Sequence, residues 1–235
     1  MTVSASAEAY ERQEKSRFRI AAPEFPEIPE TLTDDSRFIV MSQGEDEIEN
    51  ILFSRLDAAD EDLSESIFRH CRFEGCHFER IEFAKAEFTD IIFKDCDLSN
   101  CTFDTAYFCR VRFENCRLYG TDFVRSVFKE TIWTSSNLSY SSLTGCSLNH
   151  AGFKEDNLTG ADLSEVKLTA VRFIESDLTG VSFFRTNLKG MDLSSGVSRG
   201  LAVSDNFSEL RGLKISTAQA QDLAGLLGVS YIEAQ

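Results

Sequence analysis

Every fifth residue from Leu63 to Leu193 is large and apolar, and the phase is never broken. Phenylalanine predominates in the first half of this stretch and leucine in the second. A period of five matches neither the 3.6-residue turn of an α-helix nor the two-residue alternation of a strand. A helix would distribute these side chains around its whole circumference, so the pattern indicates another architecture.

The residues around these apolar centres divide into small and polar positions. Two residues before each centre the side chain is small or medium-sized, as at Cys71, Ala86, Thr121 and Ser176. The remaining positions are mostly polar, as in Asn157–Gly160. A solenoid whose wall turns a corner every five residues explains this pattern, because each side supplies one large and one small side chain that stacked coils bury. We therefore predict an all-β solenoid.

The run Ala161–Leu163, Ala-Asp-Leu, recurs loosely along the chain and resembles the A-(D/N)-L-x-x motif of the pentapeptide-repeat family. This resemblance implies a right-handed quadrilateral β-helix with four repeats, or about 20 residues, per coil. Residues one coil apart should then stack in columns at about 4.8 Å. The phase extends backward to Ile48, so we expect the first coil to begin near residue 46.

The N-terminal residues differ from the repeats. Residues 1–45 hold all three prolines, within Pro23–Pro29, and scattered apolar residues. We predict an arm followed by a cap over the first coil, with a partner-binding arm as the alternative. A cap is needed because an open β-helix end exposes apolar core and unpaired strand edges.

The C-terminal residues also differ. The β-helix is predicted over 46–213, followed by a helix and strand over 214–235 that form a cap and a dimer contact. Leu210–Ile215 is expected to be a last strand. A helix should begin at Ser216 or Thr217 and end before Gly228, and Val229–Ile232 should return to strand.

The order of these parts carries a second resemblance. A proline-spaced arm, the acidic Gly44–Glu47, an unbroken solenoid and the ending Leu-Arg-Gly-Leu-Lys-Ile-Ser-x-x-Gln-Ala-x-x-Leu-Ala-x-x-Leu-Gly are similar to the Qnr-type quinolone-resistance proteins of Gram-positive bacteria. This resemblance implies a rod that imitates duplex DNA and binds a type II topoisomerase, DNA gyrase or topoisomerase IV. It also implies a cytoplasmic homodimer joined through Leu223, Leu226, Leu227 and Tyr231.

The composition limits the classes of partner. Asp plus Glu number 39 against 24 Lys plus Arg, a net charge of −15. This charge argues against direct binding to a nucleic-acid backbone and favours a basic or neutral partner. The chain has no long apolar run and its first residues lack the apolar core of a secretion signal, so we predict a cytoplasmic protein without membrane contact.

Two cysteines and two histidines within His70–His77 suggest a metal site. The period places Cys71 and Cys76 inward on adjacent sides and both histidines outward, so four ligands could not converge on one ion. We expect buried free thiols instead, although Cys76 begins a cysteine column in which a disulfide is geometrically possible. His150 has no carboxylate placed to orient it, and no phosphate-binding or nucleophile motif occurs. No metal, cofactor or enzymatic activity is predicted.

The outward positions of the four sides differ in charge. We name each side by an inward residue: the Leu63, Phe68, Phe73 and Phe78 faces. The Leu63 face carries a net charge of about −4 from acidic and basic outward residues, whereas the Phe68 face is near +2. We predict that a basic partner docks on the Leu63 face, and the candidate contact residues are Asp62, Glu65, Glu82, Asp104, Asp122, Asp162 and Glu165. The alternative is that Asp or Asn before an apolar centre only satisfies the corner backbone.

Two functional hypotheses remain open. The first is a non-enzymatic DNA mimic that binds and modulates a type II topoisomerase, with fluoroquinolone protection as a further outcome. The order of motifs and the acidic face favour it. The second is a structural interaction scaffold with an unrelated partner, which the low charge of the solenoid and its lack of projecting loops favour.

Overall fold

The computed structural model describes residues 20–26, 30–42, 47–226 and 228–229. These residues form a right-handed quadrilateral β-helix of about seven coils, as the sequence predicts. The strands are β1 Glu30–Leu32, β2 Ile48–Glu49, β3 Ile51–Ser54, β4 Asp57–Ala59, β5 Ile67–Arg69, β6 Arg72–Glu74, β7 His77–Glu79, β8 Glu87–Lys94, β9 Tyr107–Glu114, β10 Val127–Lys129, β11 Ile132–Thr134, β12 Ser147–Lys154 and β13 Lys167–Ile174.

All strand pairs are parallel; from β2 onward each residue pairs with the residue 20 positions later, and β1 pairs with β3 at a separation of 21. Strands β1, β3, β6, β8, β9, β10, β12 and β11 follow one another in the large sheet, where β13 joins β12 and β5 joins β2 and β8. Strands β4 and β7 form a separate pair. The Phe78 and Leu63 faces continue beyond these strands as single parallel bridges. The register is therefore fixed around the whole perimeter.

A left-handed backbone conformation turns the chain at each corner. It recurs at every fifth position, with φ of 57° at Asp90 and 54° at Asp95. The corner amide of Asp95 donates to the carbonyl of Glu114 on the next coil, at 2.9 Å. Aspartate and asparagine tolerate this conformation better than most residues, which suits corners such as Asp90, Asp95 and Asn100.

The core consists of stacked columns of the large apolar residues. On the Phe73 face, Phe113 stacks on Trp133 with ring centroids 5.5 Å apart, and Trp133 stacks on Phe153 at 4.5 Å. The inward cysteines of the smaller position are buried beside these columns, including Cys71 and Cys76. The sequence period therefore identified both layers of the core.

The helix Asp35–Ser42 closes the N-terminal end of the solenoid. Its Phe38 is fully buried, and its ring lies 5.1 Å from Phe53 and 5.3 Å from Phe78. Leu32 of β1 is buried beside the same coil. These residues act as the cap that an open β-helix end requires.

The C-terminal end differs from the sequence prediction in one element. The predicted strand Leu210–Ile215 is wrong: a 3₁₀ helix, Ser208–Leu210, is followed by a turn and by one bridge between Lys214 and Asp192. Gly212 adopts φ 79°, which interrupts an extended strand at this point.

The predicted C-terminal helix is present and spans Thr217–Leu226. Ser216 caps it, because its hydroxyl accepts the Gln219 amide at 3.3 Å while the Gln219 side chain accepts the Ser216 amide at 2.8 Å. Gly228 follows the helix with φ 71°. Of the predicted last strand, Val229 alone lies within the described residues. Within the described ranges, neither helix is long and apolar enough to cross a membrane.

Candidate protein-interaction face

Four predicted contact residues of the Leu63 face lie in one column. Parallel bridges connect Asp62 to Glu82 and continue through Thr102, Asp122 and Ser142 to Asp162. We call Asp62, Glu82, Asp122 and Asp162 the acidic column. Asp62 and Glu82 are exposed, and Asp122 and Asp162 are half-buried. The column contains no basic residue between its first and last members.

The three aspartates of the acidic column also bind the corner backbone. Asp62 Oδ1 accepts the Ser64 amide at 3.0 Å, and Asp122 Oδ1 accepts the Val124 amide at 2.9 Å. Asp162 Oδ1 accepts the Ser164 amide at 2.9 Å. Hydrogen bonds from Ser64 hold the pKa of Asp62 below its usual value. One oxygen of each of these three carboxylates therefore satisfies the corner backbone, which is the role that the alternative interpretation of the sequence gives to these aspartates.

Glu82 differs from the other members of the acidic column. Its longer side chain forms no hydrogen bond or ion pair with the residues that the structure describes, and it is exposed. Its backbone amide donates to Glu61 and its side chain is not needed for the corner. A structural role does not account for a carboxylate at this position.

The other three predicted contact residues are neutralised within the face. Glu65 pairs with Lys85 at 2.7 Å, Asp104 with Arg125 at 2.8 Å, and Glu165 with Arg185 at 3.1 Å, in Oε/Oδ to N distances. Lys85 and Arg185 lie one coil after their acids in the same column, whereas Arg125 lies 21 residues after Asp104, in the neighbouring column. Of the seven predicted contact residues, only the four of the acidic column therefore keep a negative charge that no basic side chain among the described residues neutralises. Two of these pairs were detectable from their separation of one coil in the sequence.

Sequence reasoning missed acidic residues that precede the acidic column on the first coil. Asp57 and Asp60 are both exposed, and Asp60 pairs with Arg80 at 2.6 Å. They lie on the Phe78 face and its corner, before the first residue of the predicted set. Counting outward charges from Ile48 instead of Leu63 would have included them.

The Phe78 face carries an exposed aromatic pair. Tyr119 and Tyr140 are 45% and 61% exposed, and their ring centroids lie 5.6 Å apart. The Tyr140 ring lies over Gly160, where a Cβ would approach it to 2.7 Å. Other corner residues adopt a left-handed conformation like that of Gly160, φ 67°, so the overlying Tyr140 ring is the feature that favours glycine here.

The cysteines and histidines point in opposite directions, as their register predicts. Cys71 and Cys76 face the core, whereas the His70 imidazole bonds the Glu24 carbonyl and His77 is exposed near Asp97. Burial raises the pKa of Cys71 to about 12. No group of three or more metal-ligating side chains converges in the part of the chain that the structure describes. His150 hydrogen-bonds its neighbour Asn149 at 2.8 Å.

The implied dimer contact falls only partly within the described residues. Leu223 is half-buried and Leu226 is 37% exposed on the C-terminal helix. Leu227 and Tyr231 lie outside the described residues. Val229, next to them, is 55% exposed.

A comparison with family models agrees with this architecture. A family model described as a pentapeptide repeat region matches residues 66–130 and 106–183, together half of the chain. A search of curated proteins finds no match to this chain. The chain is similar to a trypsin-treated variant of QnrB1, a plasmid-mediated fluoroquinolone resistance protein, with 24% identity over 87% of this chain and 100% of that chain and a TM-score of 0.45.

Two further solved structures are similar over most of their length. Full-length QnrB1 has 24% identity over 78% of this chain and 90% of that chain, with a TM-score of 0.39. HetL, a pentapeptide repeat protein involved in heterocyst differentiation regulation from the cyanobacterium Nostoc sp. strain PCC 7120, has 15% identity over 78% of this chain and 92% of that chain, with a TM-score of 0.28.

Proposed function

This chain belongs to the pentapeptide-repeat family, and from that premise we propose that it is a non-enzymatic protein that binds a type II topoisomerase, DNA gyrase or topoisomerase IV, through the acidic column. The observation that carries the proposal is a line of four carboxylates without an intervening basic residue. The acidic column occupies a basic groove of the topoisomerase in place of a DNA backbone. The enzyme is modulated because it can no longer bind DNA in that groove.

The acidic column is a line of negative charge with a lower density than a phosphate backbone. Asp62 and Asp162 are five coils apart, about 24 Å at the strand spacing of a parallel sheet. A DNA strand of that length carries a charge every ~3.4 Å, so the column is a sparse copy. Lys and Arg side chains of a groove can still reach these carboxylates, and complementary charge accelerates and orients docking.

The corner hydrogen bonds of the aspartates support the proposal. Each bond fixes one carboxylate oxygen, as in Asp122 with the Val124 amide, and leaves the second oxygen for a partner. A carboxylate that is already oriented loses little side-chain entropy on binding. The same aspartate can therefore stabilise its corner and present its charge.

We also propose a homodimer through the C-terminal helix, with Leu223, Leu226, Leu227 and Tyr231 in contact. The exposure of Leu226 and of Val229 at the same end supports this arrangement. Two rods joined in this way would present two acidic columns related by a two-fold axis.

Titrating the protein into a gyrase supercoiling reaction, with and without a fluoroquinolone, tests the proposal. The variant Asp122→Asn/Asp162→Asn removes two charges, and its amides can keep the corner bonds as Asn157 does with the Thr159 amide. The control Asp177→Asn/Asp192→Asn removes two aspartates with the same corner role on the Phe78 and Phe73 faces.

We expect the wild type and the control to inhibit supercoiling, or to restore it against the drug, at the same concentration. The acidic-column variant should need about ten times more protein, because close charge pairs at an interface contribute 1.4 kcal/mol or more. Equal potency of both variants, or no effect of the wild type up to tens of micromolar, would refute the proposal.

The second candidate function is an interaction scaffold with an unrelated partner. The exposed pair Tyr119 and Tyr140 favours it, because exposed aromatic residues are enriched at protein interfaces. A scaffold of this kind would lose its partner in Tyr119→Ser/Tyr140→Ser and keep it in Asp122→Asn/Asp162→Asn. Affinity capture with the two variants side by side distinguishes these outcomes.

A further inference from the structure

We propose that the segment Ile20–Pro26 is a lengthwise clasp, latched by Asp90, that couples the coils from Arg72 to Gly152 into one cooperative unit. This inference is independent of the proposed topoisomerase partner. It rests on an N-terminal segment that crosses the coils and on a buried carboxylate that binds its backbone.

The clasp contacts the solenoid through Ile20 at one end and through Glu24 and Phe25 near the other. At one end the Ile20 side chain lies over Gly152, where a Cβ would come within 3.2 Å of it. At the other end the Phe25 ring lies under the guanidinium of Arg72, 4.2 Å from centroid to Cζ. Between them, the Glu24 amide donates to Asp90 Oδ1 at 3.0 Å.

The latch is an ion pair between the buried Asp90 and the half-buried Arg110, on the corner between the Phe68 and Phe73 faces. Asp90 is 1% exposed and binds Arg110 through two hydrogen bonds of 2.6 Å. Its Oδ1 also accepts the Glu24 amide, while the Glu24 carbonyl bonds the His70 imidazole at 2.8 Å. Both backbone groups of one clasp residue are thus held by two successive corner residues.

The dimensions show that the clasp runs along the axis of the rod. Arg72 and Gly152 belong to one column and are four coils apart, about 19 Å at the strand spacing. Five residue steps from Ile20 to Phe25 span about 17 Å in an extended chain. The segment therefore crosses four coil boundaries and runs opposite to the direction in which the coils progress.

A lengthwise contact changes how a solenoid unfolds. In a repeat protein each coil contacts only its neighbours, so coils can open one at a time from an end. A segment that is bound at Gly152, Asp90 and Arg72 loses its contacts when any of these coils opens. When one spanned coil opens, the clasp detaches and the other spanned coils lose the stabilisation that its contacts provide. The spanned coils therefore open together.

Hydrogen exchange followed by mass spectrometry on the full-length chain tests the clasp. The variant Ile20→Ala/Phe25→Ala weakens both ends and leaves the solenoid unchanged, and Asp90→Asn weakens the latch. The matched control is Asp95→Asn, because Asp95 is also a left-handed corner aspartate that binds the next coil, through Asn115 at 2.6 Å, and has no clasp contact. Asparagine tolerates this backbone conformation at both positions.

We expect both clasp variants to lose protection in residues 20–26 and to exchange about ten times faster in the coils from Arg72 to Gly152. Hydrogen exchange in the coils after Phe173 should be as fast as in the wild type. Asp95→Asn should exchange as the wild type does, both in residues 20–26 and in the coils from Arg72 to Gly152. If the clasp loses protection while the spanned coils exchange at the wild-type rate, the coupling is refuted. If both variants keep the clasp protected, the assigned contacts do not hold it, and the proposal also fails.

Discussion

At the residue scale, each repeat has one left-handed position that turns the chain and two inward positions that form the core. An aspartate such as Asp122, three residues before the left-handed Arg125, supports the turn because its carboxylate accepts the amide two residues later. The inward small position holds Cys76, Cys96, Cys116 and Ser136 in one column. These residues are neutral, as expected of side chains withdrawn from water.

Asp156 is the exception in this inward column. It is 3% exposed, and its oxygens accept the amides of Ser136 at 2.7 Å and Lys154 at 2.8 Å. Desolvation by burial outweighs these bonds and raises the pKa of Asp156 to about 7. The fold therefore favours the protonated form of this carboxyl more than the unfolded chain does.

Replacing Asp156 by serine should stabilise the protein at alkaline pH. The pKa of Asp156 is higher in the folded protein than in the unfolded chain. The contribution of this carboxyl to the free energy of unfolding is therefore fully present below about pH 4 and is lost as the pH rises to about 7. Ser136 shows that serine fits the column, since its hydroxyl accepts the Cys116 amide at 3.0 Å. We expect Asp156→Ser to raise the free energy of unfolding by about 2 kcal/mol at pH 8 and by much less at pH 4.

Urea denaturation at both pH values measures this difference. The outward variant Asp177→Asn controls for the loss of one negative charge. An Asp156→Ser variant whose advantage is the same at pH 4 and pH 8 would contradict a titrating buried carboxyl.

Residue-level predictions from the sequence were accurate wherever the period alone decides the environment. Cys71 was predicted to be inward and His70 outward, and the structure confirms both. The pairing of Glu65 with Lys85 was missed, although the residues are one coil apart, because charges were counted by face and not along columns. The burial of Asp156 follows from its register, but its altered pKa depends on desolvation that only coordinates reveal.

At the element scale, the attachment of the C-terminal helix depends on one glutamine. Gln219 is 5% exposed, and its Nε2 donates to the carbonyls of Leu193 at 2.8 Å and Gly196 at 3.0 Å. Its Oε1 accepts the Ser216 amide in the capping arrangement. One side chain therefore caps the helix and satisfies the open end of the last coil.

Replacing Gln219 by alanine should detach the helix from the solenoid. The change leaves two carbonyls and one amide without their partner and should cost about 2 kcal/mol locally. Hydrogen exchange of the amides in Thr217–Leu226 should become about ten times faster or more. The control Gln221→Ala removes an exposed glutamine of the same helix and should exchange as the wild type. Equal exchange in both variants would show that other contacts hold the helix.

Elements were predictable where a local signal fixes them. The C-terminal helix was predicted from Ser216 and Gly228, because caps at both ends are local sequence signals. The strand predicted over Leu210–Ile215 was wrong, since a left-handed Gly212 interrupts it and alternation of apolar residues cannot reveal that conformation. The clasp Ile20–Pro26 was not predicted, because its contacts with Asp90 and Gly152 are distant in sequence and have no period.

At the scale of the whole molecule, the rod has two different long sides. The acidic column lies on the Leu63 face, whereas the clasp reaches Arg72 and Gly152 on the Phe73 face, two sides away in a four-sided helix. Net charge alone did not predict this asymmetry, since much of the charge of the solenoid is cancelled between adjacent coils. The uncompensated carboxylates of the acidic column form the surface through which we propose that the protein binds its partner.

Equilibrium binding of the purified protein to DNA gyrase at several salt concentrations tests the account most directly. At low salt, Asp122→Asn/Asp162→Asn should bind about ten times more weakly than the wild type and than Asp177→Asn/Asp192→Asn. The difference should shrink toward 1 M salt, where charges are screened beyond about 3 Å. Identical affinities of all three proteins at low salt, or no binding by the wild type, would contradict docking through the acidic column.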